Sequence, residues 1–267
     1  MYYPMEKIEN FRDLGGIRTK DGKQVKSGKL FRCAALSAAS PNDIEKIKEL
    51  GIDTIVDFRS IGEVKIEKDP EIEGVQYHQI NLFKEKLEGV EKVNKDARFY
   101  EWMIDQSLDH PALFAEQMVK NYSTMVSEDQ AIEGYRRFFD LLLDEGSDKV
   151  LWHCSAGKDR TGIAAILVLE ALDADRKMIR ENYFLTNQYL DRSLAEVLDA
   201  VKERAGHHKN YEAIREAFAA AMSASELFID ECYRTMIEKA GSPEAYLREY
   251  FHIDDEMKRK LKEKYCE

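Results

Sequence analysis

Long apolar runs are missing from this 267-residue chain, and no stretch approaches the roughly 18 consecutive apolar residues of a spanning helix. The first residues, MYYPMEKIENFRDLGG, hold neither the apolar core of a signal peptide nor an arginine-rich transit pattern. No transmembrane segment is expected. Proline is scarce, at five residues, and no glycine- or serine-rich linker or internal repeat interrupts the sequence, so one unit spanning 1–267 is expected. The four cysteines, Cys33, Cys154, Cys232 and Cys266, stand singly with no CxxC spacing. That pattern argues against a structural zinc site and fits a reducing cytoplasm better than an oxidising exterior. With a formal charge of −11 and no aromatic-basic groove, nucleic acid is not expected as a partner.

What is present is concentrated in the ten residues His153 to Gly162, HCSAGKDRTG. The apolar run Lys149 to Trp152 precedes them and the alanine- and leucine-rich Gly162 to Leu172 follows, so the segment should join a buried strand to a helix N-terminus. Backbone N–H groups from Ser155 through Ala156, Gly157 and Lys158 to Arg160 can there surround an anion, at the positive end of the helix. The same field, with Arg160, should favour the thiolate of Cys154. Arg160 offers a planar fork for two phosphoryl oxygens, Thr161 is placed to hydrogen-bond the sulfur, and His153 reads as a loop-fixing residue rather than a base. Lys158 is followed by Asp159 and not by Ser or Thr, which excludes a Walker A loop.

The His153–Gly162 segment resembles the CX5R signature of cysteine-dependent phosphatases, and its GKDRTG form resembles the atypical bacterial tyrosine phosphatases, which include secreted enzymes of intracellular pathogens. Asn10 to Gly16 (NFRDLGG) is similar to that family's NxRDLGG motif. Gly28 to Arg32 resembles its GxLFRS run with Cys33 in place of the serine, and Val56 to Ser60 with Glu63 resembles its DLRSxxE segment with Phe58 in place of the leucine. The resemblance extends to Tyr183–Asn187, Tyr189-Leu190 and Gly241–Leu247. It implies a dual-specificity-phosphatase-like α/β fold, with a central, mostly parallel sheet flanked by helices and with additional C-terminal helices.

It further implies phosphomonoester hydrolysis through a cysteinyl-phosphate intermediate, with Cys154 as nucleophile, Arg160 and the loop amides holding the equatorial oxygens, and no metal or other cofactor. The general acid is open between two residues, since no WPD tripeptide occurs. Asp57 should end a strand at the carboxyl edge of the sheet, where it could instead pair with Arg59. Asp159 lies inside the loop, where it could instead brace Arg160. Arg12 and Asp13, beside the Gly15-Gly16 turn, are expected near the substrate, with Arg59, Glu63 and His153 in support.

Lys158 adds a second positive charge to the cradle or pairs with Glu63. The expected partner is a phosphotyrosine protein or another phosphomonoester, including phosphoserine and phosphothreonine, and the alternative is a phosphoinositide or inositol phosphate. A phosphate-binding pseudoenzyme is a third reading, weakened by intact Cys154, Arg160 and Thr161. The expected compartment is the cytoplasm, with leaderless secretion left open by the pathogen resemblance.

Strands are expected at Leu30–Arg32, Thr54–Phe58, Val75–Gln79 and Val150–Trp152. Helices are expected at Pro41–Leu50, at Asp96–Val126 with a break near Asp109-His110-Pro111, at Asp129–Asp144, and through most of Asp175–Glu263. Helical stretches near 96–126 and 190–230 could cap the site, hinged at Gly206-His207-His208, or could be plain core. Those histidines lack metal-ligand spacing. Residues 1–40 carry eight Lys or Arg against four acids, yet Thr19 to Lys29 reads as an exposed hairpin around Asp21-Gly22 whose lysines need bind nothing.

Overall fold

The computed structural model describes residues 3–83 and 97–267. A five-stranded sheet runs in the order β1-β2-β5-β3-β4, from β1 (Arg12–Asp13), β2 (Leu30–Cys33), β3 (Thr54–Asp57), β4 (Gln76–Gln79) and β5 (Val150–His153). β1 pairs antiparallel with β2, and all other pairs are parallel. The expected strands are therefore present, to within a residue at each end. β1 is the unforeseen one, a two-residue strand whose side chains are charged and yet buried.

Alternation within the inner strands sorts two apolar layers. Phe31, Ile55 and Leu151 face one side, where Ile47 of α1 (Pro41–Leu50) and Phe11 cover them. Leu30, Val56, Val150 and Trp152 face the other, where the larger core lies. α1 is fixed at both ends by local chemistry. Ser40 and Asp43 form a reciprocal capping box, and Gly51 closes the helix in the left-handed conformation at φ 68°.

The remaining helices are α2 (Ile61–Ile66), α3 (Ala97–Ser107), α4 (Leu113–Met125), α5 (Asp129–Leu143), α6 (Asp159–Ala171), α7 (Arg176–Phe184), α8 (Asp191–Ala205), α9 (Tyr211–Met222), α10 (Glu226–Ala240), α11 (Pro243–Phe251) and α12 (Asp255–Tyr265). A 3-10 turn, Leu185–Gln188, follows α7. α6 is buried from Thr161 to Ala171, which explains why its sequence is apolar all round, and it packs against α4, α7 and α11. The break expected near Asp109-His110-Pro111 separates α3 from α4, whereas Asp96, the expected start of that region, lies outside the described residues.

α3 packs on α8, α8 on α9 and α9 on α4, so the segments near 96–126 and 190–230 share one helical layer. An Arg204–Asp105 ion pair at 2.5 Å and a bond from Asn210 Nδ2 to Leu108 O at 2.8 Å join them. Among the described residues no helix is long and apolar enough to cross a membrane.

The Thr19–Lys29 segment does turn at Gly22, with Arg18 bridged to Gln24. Two of its lysines are spoken for: Lys29 pairs with Asp148 and Lys26 donates to the carbonyls of Glu263 and Lys264.

Candidate active site

β5 delivers its last residue, His153, to the carboxyl edge of the sheet, and α6 begins five residues after Cys154 at Asp159. The loop between them is pinned from behind through its carbonyls. Ser155 O accepts from Ala35 N at 3.0 Å, Ala156 O and Gly157 O accept from Asn10 Nδ2 at 3.3 and 2.9 Å, and Gly157 O accepts from Arg32 Nη2 at 2.7 Å. With all peptides trans, the N–H that follows each tethered carbonyl lies in the same plane and points the opposite way, so Ala156, Gly157 and Lys158 present successive donors away from the tethers.

This backing corrects one expectation. Arg12 and Asp13 do not reach the pocket at Cys154. The Arg12 guanidinium is buried, donates to Asn10 O at 3.2 Å and to the Asn10 side-chain oxygen, and anchors to Asn182 O and Thr186 Oγ1 at 3.0 Å each. It therefore holds the residue that holds the loop. Asp13 accepts from Gly15 N and Gly28 N at 2.8 and 2.6 Å, tying the glycine turn to the start of β2.

Cys154 is 2% exposed at the base of a cavity of about 240 Å3. Burial opposes ionisation of its thiol, but the charge of Arg160, the hydroxyl and the backbone N–H of Thr161 outweigh it and hold the pKa below the ordinary value. The Thr161 hydroxyl is buried and has no oxygen or nitrogen partner among the described residues, which leaves it for the sulfur.

Arg160 is aimed by α2. Ser60 caps that helix, and Glu63, its third residue, returns a bond to the Ser60 backbone. The Glu63 carboxylate then takes both Arg160 Nη atoms at 2.7 and 2.9 Å and accepts from Ser155 Oγ at 2.5 Å. These contacts pull the Glu63 pKa far down against the opposing effect of burial. The pairing of Lys158 with Glu63 is thereby corrected. Lys158 Nζ donates instead to Ala221 O at the C-terminal end of α9, lies 3.5 Å from Asp159 Oδ1, and sits 5.6 Å from the centre of the Phe228 ring.

The two candidate acids part company. Asp159 lines the cavity and accepts from Tyr122 OH at 2.8 Å, a hydroxyl that also meets Tyr183 OH at 2.9 Å. Asp57 is fully buried, does not line the cavity, and accepts from Arg59 Nε at 3.0 Å, Arg59 Nη2 at 2.8 Å and Tyr77 OH. Burial would raise its pKa, but His153, Arg59 and Tyr77 prevail and lower it. An ionised, enclosed carboxylate has no proton to give to a leaving group, so the acid role for Asp57 is corrected to the salt-bridging one.

The cavity walls are apolar and aromatic, with Phe83, Tyr100, Phe114, Met118, Met125 and Met222 above the loop residues. A larger cavity of about 570 Å3, walled by Ile55, Val64, Asp69, Ile72 and Tyr77, carries none of the loop residues. Of these two cavities, the smaller one brings a thiol, a guanidinium and a carboxyl together.

Sequence reasoning gave no role to Asn10, Arg32, Asp69, Tyr77, Tyr122, Asn182 or Thr186. Asn10 and Arg32 stood inside motifs already singled out, and the positive φ of 60° at Asn10 fits a residue type that tolerates the left-handed region. Asp69, in the charged run EKDPEIE, carried no signal at all.

Comparison with known proteins completes the description. The sequence pattern of the tyrosine phosphatase family matches residues 3–267. A Cupriavidus necator protein named for tyrosine-protein phosphatase activity is 29% identical over 256 residues, 92% of this chain and 83% of that protein. The triple specificity protein phosphatase PtpB of Mycobacterium tuberculosis is 27% identical over 213 residues, covering 73% and 72%. Among solved structures, the core catalytic domain of the S. cerevisiae PP-IP phosphatase SIW14 covers 80% of this chain and 94% of that one, at 14% identity and a TM-score of 0.37.

Proposed function

From the premise that this chain belongs to the tyrosine phosphatase family, we propose that it hydrolyses phosphomonoesters through a cysteinyl-phosphate, with phosphotyrosine proteins as its first substrates and phosphoserine or phosphothreonine as further ones. One observation carries the reading: Cys154, with its thiol pKa lowered, lies at the base of a cavity beside a guanidinium already oriented by Glu63. The Cys154 thiolate attacks phosphorus in line, the P–O bond to the leaving group breaks, and water then cleaves the P–S bond to release phosphate. Arg160 and the inward N–H groups of the loop meet the charge that develops on the equatorial oxygens.

Asp159 is the proposed proton donor to the leaving oxygen. Asp159→Asn is expected to slow esters with poor leaving groups by about 100-fold and good ones much less, within the usual range for acid catalysis. Steady-state turnover across a series of aryl phosphates measures this. An equal loss on all members removes Asp159 from the role.

The apolar, aromatic walls favour an aromatic ring on the substrate, whereas Lys158 lines the same cavity with its ammonium bonded to Ala221 O. The walls favour phosphotyrosine over a phosphoinositide. Side-by-side turnover of phosphotyrosine peptides, phosphoserine peptides and phosphoinositide vesicles tests the ranking. Lipid turnover well above peptide turnover reverses it.

A further inference from the structure

His153 is buried under the loop, and the nearest polar atoms on both of its ring nitrogens are acceptors. Nδ1 lies 3.2 Å from Cys154 O and 3.7 Å from Asp57 Oδ1, while Nε2 lies 3.2 Å from Asp69 Oδ2. The Nε2–Asp69 contact is an ion-pair distance without hydrogen-bond alignment, and a neutral imidazole leaves one lone pair beside a carbonyl or carboxylate oxygen whichever tautomer it takes. Only the imidazolium is attracted on both sides.

We propose that Asp57 and Asp69 form a buried anionic clamp that keeps His153 doubly protonated, so that its Nδ1–H holds the Cys154 carbonyl and all three act as positioning residues for the nucleophile. The proposal rests on the reading of Cys154 as that nucleophile.

The charge balance supports it. Arg59 donates to Asp57 through Nε and Nη2 and reaches Asp69 Oδ2 at 2.5 Å, which leaves one carboxylate of the pair for a second cation. The imidazolium makes the buried group neutral, whereas a neutral histidine leaves a net negative charge beneath a loop built for phosphate. The other groups facing the cluster do not supply that charge. Tyr77 OH from β4 donates to both carboxylates and has its own pKa pushed up, and Cys33, in register with His153 on β2, has its thiol pushed up by burial.

Asp57, Asp69 and His153 are close enough together to surround a metal ion, but Arg59 already contacts both carboxylates and would repel one. Burial opposes the His153 charge, and Asp57 and Asp69 overcome it and raise the pKa. The proton is thus bound more tightly in the folded state. Its contribution to stability is complete below the ordinary histidine range and is lost as pH rises through the raised value.

The test uses the full chain labelled with 15N-histidine. At pH 7.5 the two-bond 1H–15N spectrum of the native protein should show His153 with both nitrogens protonated. In Asp69→Asn the same resonance should report a neutral ring, and kcat/KM should acquire a new alkaline limb, intact at low pH and falling as pH rises through the lowered His153 pKa. One unit above that value about one-tenth of the imidazolium remains, so a loss of about tenfold is expected there. A role in folding alone lowers activity equally at every pH. Tyr77→Phe, which keeps every charge, should retain the imidazolium pattern and controls for disturbance of the site.

A neutral His153 in the native protein at pH 7.5 overturns the proposal, whether or not Asp69→Asn folds, and so does an unchanged profile shape in that variant. If no phosphomonoester is turned over, the functional reading fails separately. The His153 spectrum still decides whether the clamp exists.

Discussion

Cys154→Ser is expected to reduce turnover by a factor on the order of 10^4 or more while phosphate remains bound, since removal of a nucleophile leaves only the binding and electrostatic parts of catalysis. The reason lies in what the surroundings can ionise. Arg160 and Thr161 bring the thiol of Cys154 below its ordinary pKa, a shift of a group that starts near 9.0. A serine hydroxyl starts far higher, and the same field leaves it neutral. Nothing that shapes the cradle depends on the sulfur. The carbonyls of Ser155, Ala156 and Gly157 are held by Ala35, Asn10 and Arg32, and Arg160 is held by Glu63. Titration calorimetry with inorganic phosphate should therefore give an affinity within about threefold of the native one, allowing a few tenths of a kcal/mol for the smaller atom. Turnover within tenfold of native would remove Cys154 from the mechanism.

Gly157→Ala is expected to be severely damaging to both stability and turnover. Gly157 has φ 65°, and a β-carbon there would stand 2.3 Å from Cys33 O, 2.5 Å from Cys33 C and 2.7 Å from Ala34 N. These are backbone atoms at the end of β2, and moving them breaks the pairing of Cys33 with His153 beside the loop. The left-handed conformation alone costs about 1–2 kcal/mol for a residue with a β-carbon. The collision should bring the total to about 4 kcal/mol, the range of other severe core lesions. Displaced loop amides should also lower kcat/KM by about 1000-fold. Gly22→Ala is the matched control, with φ 86° and open space around the added carbon, and should lose only the conformational part. Urea denaturation of both variants measures the difference. Equal destabilisation means that the loop is not seated against β2 as described.

The parts of this molecule that were legible in the sequence are those whose determinants are local. α1 could be bounded because Asp43 and Gly51 help write its ends in side-chain and backbone chemistry. The candidate phosphate loop was legible for the same reason, as Cys154, Gly157 and Arg160 lie within seven residues of one another. What escaped depends on distant partners. β1 is two charged residues, and nothing in Arg12-Asp13 announces burial until Asn182 and Thr186, some 170 positions later, fold against it. Asp57 sat at the predicted sheet edge, where catalytic acids are found, but its surroundings were set by Asp69, Tyr77 and His153 from three other segments. Lys158 looked like a ligand for phosphate because its nearest acceptor, Ala221 O, is 63 residues away.

The strand order also bears on how this protein can be made. β2 and β3 follow one another in the chain but do not touch, because β5 lies between them and pairs with both. While the first 149 residues leave the ribosome, their inner strands have no common neighbour, and a stable sheet must wait for Val150–His153 to arrive as the centre piece. Such long-range pairing is slow to form, since the loops must close before the contacts reward them. Cys154 follows directly on that last strand. A chain that ends before Val150 therefore lacks both the central strand that joins the two outer strand pairs and the loop that holds Cys154.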